Sequence, residues 1–465
     1  MNPRIVSPGS PRTIIAFALS ALLLGGCATL SKDGGFDTVT QVTQDRTGKT
    51  AKVIRTDDDV ASVQSSIKAL LAKPLDAGDA VQIALLNNRG LQATYAELGI
   101  AEADLVQAGR LHNPGFTFKR TRQGDDVLIE RTFMVNLINL ITAPLAKKIE
   151  GRRFEQVKLL VTNEALRVAA ETRKTYFEAI AADQSVTYAK QVNLVAESGA
   201  DLAYQMGRGG NWSALEQARE QAFYAEATAG VARATKASVM AHEKLTRLMS
   251  LWGDDIKFQL PDRLPDLPVK PLELDNAESL ALQNRLDVQA GKLETAGLAS
   301  SLGLTKTTRF VNVLDLGYVR NTQTGQPHER GYELSIEIPL FDWGGARVSK
   351  AKSIYMQSVN RLAETAINAR SEVRESYLGY RTSYDLARHY RDNIVPLRKK
   401  ISDENLLRYN GMLIGVFELL ADAREQVASV NGYIDALKDY WIAETDLQTA
   451  LGGKLPNNSV AMKGQ

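Results

Sequence analysis

Two stretches of this chain repeat each other at a distance of about two hundred residues. Ala80, Ala84, Leu85, Asn87, Gln92 and Ala93 recur as Ala277, Ala281, Leu282, Asn284, Gln289 and Ala290, each 197 positions later. Further on, Leu215 with Ala218-Arg219-Glu220-Gln221 recurs as Leu420 with Ala423-Arg424-Glu425-Gln426, 205 positions later. Tyr204 matches Tyr409 and Trp212 matches Phe417 at that same offset. Chance likeness between alanine-rich helices would not keep this order and spacing, so the chain reads as a duplication. Whatever one half folds into, the other must fold into as well.

Each half reads as helix, strand pair, long helix, turn, helix. In the first, helical patterning runs from about Ala80 to Leu111 and stops at His112-Asn113-Pro114. Strand-like runs follow at Phe116 to Arg120 and Val127 to Leu137, with Gly124-Asp125-Asp126 as the hairpin turn. A helical region from about Glu155 to Met206 is broken by Gly207-Arg208-Gly209-Gly210, and a second helix spans Ser213 to Leu251. In the second half the strands are read at Phe310 to Val319 and Tyr332 to Ile338. Tyr332, Leu334, Ile336 and Ile338 then share one face, and Glu333, Ser335 and Glu337 the other. The seams Val359, Leu362, Ala366, Ala369, Val373, Ser376, Tyr380 and Leu420, Ala423, Val427, Val430, Ile434, Leu437, Trp441 step by threes and fours, as in a coiled coil. At about 1.5 Å per residue the helices before each turn reach on the order of 80 Å, too long for one globular core. They suit a tube or a rod.

The boundaries that follow are a signal peptide at 1–26, an N-terminal anchor and extended segment at 27–75, a first repeat at 76–260 and a proline-rich linker at 261–272. A second repeat at 273–453 and a tail at 454–465 complete the chain. Within 27–75 the polar stretch from Thr29 to about Asp59 is expected to be extended and poorly ordered by itself. The net charge of +2 comes entirely from Arg4 and Arg12; without the first 26 residues the basic and acidic side chains number 54 each. Such a body has no field to gather polyanions, which argues against nucleic acid as a partner.

The lone cysteine, Cys27, excludes an intrachain disulfide. It follows a basic start, an apolar run from Ile14 to Leu24, and the small residues Gly25-Gly26. Leu24-Gly25-Gly26-Cys27 resembles the lipobox of bacterial lipoproteins, which implies cleavage before Cys27 and its acylation; the alternative is an ordinary secretory signal. Acyl chains contribute about 0.8 kcal/mol per buried CH₂, so several anchor a protein firmly. Ala28 follows, not the Asp that such lipoproteins use for inner-membrane retention, which implies the outer membrane.

Beyond the signal, no apolar run approaches the length of a membrane-spanning helix. A crossing would need β-strands in a closed barrel. Four strands cannot close one, because the smallest barrels have about eight, so several copies would have to share it. A soluble, half-buried sheet would show the same alternation. The rival architecture is a non-channel coiled-coil lipoprotein, a scaffold or tether of the periplasm, which has no use for strand pairs at equivalent places in two repeats.

Together these features resemble the TolC-like outer-membrane efflux proteins over nearly the whole mature chain. The resemblance is carried by Ala80 to Asn88, by Gln107 to Pro114, by Ile338-Pro339-Leu340-Phe341-Asp342-Trp343-Gly344-Gly345 and by Ala450-Leu451-Gly452-Gly453. It implies a mainly α fold with a small β part: duplicated long-helix hairpins forming a trimeric periplasmic α-barrel, plus a shared outer-membrane β-barrel with four strands from each chain. It implies a passive exit duct fed by a periplasmic adaptor and an inner-membrane pump of the RND or ABC type, with outer-membrane lipid around it and no cofactor. In that frame the periplasmic tips, where an adaptor would dock, are at Gly207, Gly210 and Trp212 and at Tyr409, Gly411, Gly415 and Phe417. The glycines are read first as makers of the turn. Relatives place an acid just before the Ala-x-Arg equivalent of the second tip helix; this chain has Ala421 there. Glu418, Asp422 and Arg424 are the candidates for a constriction, Asp422 serving equally well as a solvated face. Glu333, Ser335 and Glu337 become candidates for the barrel lumen.

Nothing points to catalysis. His112, His242, His328 and His389 are scattered without ligand spacing, and no nucleophile motif, dinucleotide loop or P-loop accompanies the glycines.

Overall fold

A computed structural model of the chain describes residues 29–311 and 313–453. Cys27, Ala28, the signal stretch and the tail lie outside the described residues.

The segment expected to be extended is partly helical: α1 spans Phe36–Thr47 and α2 spans Asp57–Leu71. Composition misled here because polar residues outnumber the apolar ones, but the few apolar ones are placed on one face. Phe36 and Val39 of α1, and Val63 and Ile67 of α2, are buried. Helix α2 also carries strong local start signals. Thr56 and Asp59 form a reciprocal capping box, and Asp57, Asp58 and Asp59 occupy the positive end of the helix dipole.

The first repeat then runs α3 Ala77–Asn87, α4 Arg89–Ala108, β1 Gly115–Gln123, β2 Asp126–Asn136, α5 Leu137–Arg208 and α6 Ala214–Met249. The second runs α7 Ala277–Asn284, α8 Leu286–Thr307, β3 Leu314–Gln323, β4 Glu329–Ile336, α9 Gly345–His389, a π turn at Tyr390–Ile394, α10 Val395–Asn410 and α11 Val416–Ala450. The fold is mostly helical with one small sheet. Helix α5 has 72 residues and spans roughly 110 Å at about 1.5 Å each. It begins earlier than its sequence pattern suggested, directly after β2. The predicted helix from Ala80 to Leu111 is broken at Asn88, and β3 begins at Leu314, later than expected.

The repeated Gln92 and Gln289 have a common task at these breaks. Gln92 donates to the Leu86 carbonyl at 3.1 Å, and Gln289 to the Gln283 carbonyl at 2.7 Å. Each satisfies a carbonyl at the end of the short helix before it.

By its contacts the chain divides into two compact units. One holds residues 29–35, Glu97–Lys158 and Ala290–Ala363; the other holds Phe36–Ala96, Leu159–Gln289 and residues 364–453. The first unit contains the whole antiparallel sheet, in the order β1-β2-β3-β4. The second contains the main core, in which Ile83, Phe177, Leu245, Val373, Tyr384 and Tyr440 are buried. The predicted linker is strapped to this core. Tyr384 donates to the Val269 carbonyl at 2.9 Å, Trp441 to Pro265 at 3.1 Å, and Leu272 donates to the Tyr380 hydroxyl at 2.8 Å.

Candidate channel elements: the sheet and the hairpin tips

The sheet is amphipathic in a register that runs across all four strands. Phe116 lies opposite Phe133, Phe133 opposite Tyr318, and Tyr318 opposite Tyr332, which makes one aromatic row. The next row on that face is Val135, Leu316 and Leu334. These side chains are exposed, Tyr332 to 84%. On the other face Asn136, Asp315 and Ser335 are aligned, and Asn136 donates to Asp315 at 2.8 Å. Glu333 lies opposite Gly317, where a Cβ would come 3.3 Å from that of Glu333. Glu333 and Ser335 thus share the polar face, while Glu337 follows the end of β4 and donates its N–H to the Val313 carbonyl.

Among the described residues, strands β1 and β4 each have one edge unpaired. An exposed edge of this length is normally blunted or completed by another strand. Among the described residues no helix is long and apolar enough to cross a membrane.

In the second unit, two helical hairpins end in the predicted turns. At the first, Gly210 takes φ +73°, donating to the Gly207 carbonyl while Asn211 donates to Met206. This is a Schellman closure. Ser213 then caps α6, exchanging hydrogen bonds with Glu216. Gly207 remains helical, and a Cβ there would meet Gln217 at 2.9 Å, so its role is close approach. Trp212 is half-buried.

The second turn closes the same way on a different residue. Met412 donates to Tyr409 and Leu413 to Arg408, both at 2.9 Å, with Met412 itself at φ +57°. Gly411 keeps an ordinary negative φ, and Gly415 is the N-cap of α11 without any side-chain cap. Phe417 lies in the first turn of α11. Tyr409 is 36% exposed, whereas Met412 and Leu413 are 93% and 77% exposed. Both were missed by sequence reasoning, because the neighbouring glycines drew attention away from a methionine in the left-handed region.

The structure also revises the register of the duplication. Gly210 and Met412 close equivalent turns, and Ser250 and Gly452, both at positive φ, end equivalent helices; each pair is 202 apart. The offset of 205 read from Arg219-Glu220 and Arg424-Glu425 is therefore three residues too long. A slip of three is nearly one helical turn and preserves the face, so a helical motif tolerates it. In the corrected register Glu220 corresponds to Asp422.

These two acids are treated differently. Glu220 is 1% exposed and receives Arg424 through two hydrogen bonds of 2.8 and 2.7 Å. The Arg424 guanidinium also lies 4.0 Å over the ring of Phe223. Asp422 is half-buried and Glu418 exposed, and neither forms an ion pair among the described residues. The structure brings Arg424 together with an acid of the first hairpin, and with neither of the two acids predicted to accompany it. Among the described residues no group of three or more His, Cys, Asp or Glu gathers to hold a metal.

Comparison with known proteins adds the following. Residues 278–453 match the model of the family described as outer membrane efflux protein. No curated protein sequence matches. Several solved structures share the fold. The MtrE outer membrane channel of Neisseria gonorrhoeae has a TM-score of 0.67 at 18% identity, covering 81% of this chain and 89% of that one. The outer membrane protein VceC of Vibrio cholerae has 0.66 at 14% identity, covering 85% and 97%. The CmeC outer membrane channel of Campylobacter jejuni has 0.61 at 16% identity, covering 87% and 89%. Residues 278–453 are thus similar to the outer membrane efflux protein family, and the chain shares the fold of these outer membrane channels.

Proposed function

We propose that three copies of this chain form an exit duct of the outer membrane, passively conducting substrate handed over by an inner-membrane pump of the RND or ABC type and a periplasmic adaptor. One observation carries the reading: a four-stranded sheet exposes an aromatic and aliphatic face and, among the described residues, leaves both edges open. Three such sheets supply enough strands for a closed barrel, with the apolar face in lipid and Glu333, Ser335 and Glu337 toward water. Exposed apolar residues on the long helices, such as Leu194, Ile367 and Leu378, give neighbouring copies a surface to pack on. Purified full-length protein in planar bilayers should give discrete channels and a trimeric mass in detergent. A monomer without conductance rejects the duct and favours the tether.

The tips are the adaptor contacts. A bulky residue held in a left-handed conformation costs energy, and such strain is found where function retains it. Met412 and Leu413 offer an exposed apolar pair at the tip formed by Tyr409, Gly411, Gly415 and Phe417; Gly207, Gly210 and Trp212 form the other tip. Glu418 and Asp422 supply the constriction. Because Arg424 is committed to Glu220, it is not available to neutralise them. Three-fold symmetry would then set a ring of acids in the duct. Neutralising Glu418 by Glu418→Gln should weaken the cation selectivity of single channels; unchanged selectivity rejects this assignment.

Cys27 is the acylated N-terminus that fastens the mature chain to the outer membrane. Metabolic labelling with palmitate should mark the wild-type protein and not Cys27→Ser. Label retained by the variant removes the anchor from the account.

A further inference from the structure

One step nearer the hairpin turns than the aromatic row, the same face of the sheet carries a row of charge. The register sets Phe118 opposite Arg131, Arg131 opposite Arg320, and Arg320 opposite Arg330. Neighbouring strands lie about 4.8 Å apart, so three arginines stand side by side on consecutive strands. Like charges directly opposite one another destabilise a sheet. The face offers nothing to offset this, because no Asp or Glu occupies any of its positions on the four strands. Arg131 donates to the neutral Thr322 hydroxyl at 3.2 Å. Arg320 and Arg330 are exposed, and none of the three pairs with a carboxylate among the described residues.

The opposite face is built differently at nearly the same height. There Lys119 pairs with Glu130 at 2.9 Å, and Asn321 donates to Glu329 at 3.3 Å. At that height the one cation of the polar face is matched by an acid, whereas the three arginines of the apolar face meet none. That asymmetry needs an external partner. The partner must be anionic, must lie outside the barrel, and must sit at the border of the apolar band, since Phe116, Phe133, Tyr318 and Tyr332 form the next row below. Aromatic rows of this kind mark a membrane interface. Helix α5 continues from the opposite end of β2, so in the duct reading the hairpin turns, and the arginines nearest them, belong to the outer leaflet.

We propose that Arg131, Arg320 and Arg330 form a binding band for the phosphate groups of outer-leaflet lipids. A guanidinium presents paired N–H donors that match a phosphate in two-point contact, which an ammonium cannot do. The neighbouring aromatic row would meanwhile hold the upper part of the acyl chains. The inference rests on the proposed duct and its lipid-facing side.

The test uses full-length protein in neutral detergent, titrated with lipid A as a bis-phosphorylated glycolipid and followed by native mass spectrometry. Wild type should bind lipid A about tenfold more tightly than the dephosphorylated lipid, and Arg131→Gln/Arg320→Gln/Arg330→Gln should lose that advantage. Equal binding of both lipids, or displacement of lipid A by millimolar inorganic phosphate, overturns the proposal. Should the triple variant fail to assemble, Arg320→Lys/Arg330→Lys keeps the charge and should bind about threefold more weakly; unchanged binding overturns it. Bilayer conductance separates this claim from the duct itself. Channels of unchanged selectivity in the triple variant, with lipid affinity lost, support it. A changed selectivity with lipid binding intact puts the row in the lumen and sinks the lipid band alone, whereas a wild type without channels sinks the duct.

Discussion

In the first repeat the strand pair runs directly into one unbroken helix, Leu137–Arg208, while in the second, residues 337–344 intervene and the helix is interrupted by a π turn at Tyr390–Ile394. Pro396 accounts for the interruption. It has no N–H to donate, and its ring crowds the carbonyl four residues back, so the turn before it widens. The tips differ in the same sense. The first closes on glycine and restarts on a full capping box; the second closes on a strained methionine and restarts on an uncapped glycine. One duplicated design has thus become a firm hairpin and a looser one, with Arg424 of the looser held by Glu220 of the firm. Elements that move are drawn from the less stable parts of a fold. The comparison therefore marks the second hairpin as the less firmly closed of the two.

The largest effect should come from the cross-hairpin pair. Glu220→Ala strands Arg424 beside a buried site and should cost about 3 kcal/mol, at the lower end for a buried pair because Arg424 is partly exposed. Asp422→Ala, at the corresponding place in the second repeat, should cost less than about 0.5 kcal/mol. Denaturant midpoints of the two variants check this, and equal losses would erase the asymmetry.

Next come two glycines at equivalent positions. A Cβ at Gly432 would lie 2.7 Å from the Tyr390 ring, whereas one at Gly230 meets nothing within 4 Å. Gly432→Ala should lower stability by about 1–3 kcal/mol, and Gly230→Ala should raise it by about 0.5–1 kcal/mol. Melting temperatures moving in opposite directions sharpen the comparison.

Smaller still, Met412→Gly should stabilise the second tip by about 1 kcal/mol through relief of its left-handed conformation. Hydrogen exchange at the N–H groups of residues 408–416 should slow. If Met412 docks the adaptor, the same variant should capture it less well despite being more stable.

The smallest effect is read from the acid limb of the stability profile. Asp183 accepts Ser238 at 2.6 Å and lies 2.8 Å from His242 in the first hairpin. Burial pushes its carboxyl up, but the bonds from His242 and Ser238 outweigh this and hold it below the usual range. A depressed folded value means stability present above the unfolded value, near 3.9, and lost as pH falls through the folded one. Asp183→Asn should therefore lower the melting temperature above the ordinary carboxylate range and flatten its fall in acid, the difference from wild type closing as pH drops through the depressed value.

Much of this was legible in the sequence, and the parts that were share a cause. Helix against strand, the turn positions, and the seams through Ala369, Val373 and Tyr380 or Ile434 and Leu437 follow from spacings of two to four residues, which the backbone geometry enforces locally. Strand count likewise forced the expectation of a shared barrel. The duplication was visible too, although its helical part was read three residues out of register, because a helix face hardly distinguishes such a slip.

The tertiary structure decided what depends on residues far apart in the chain. Whether a sparse set of apolar residues is enough to fold α1 and α2 depends on the core they reach, with Arg46 donating to Asn284 and Gly452 from hundreds of residues away. That Arg424 answers Glu220, and that three arginines fall into one row of an acid-free face, is set by packing and strand register. Local periodicity carries no information about either, since the energies that select them arise only when separate elements meet.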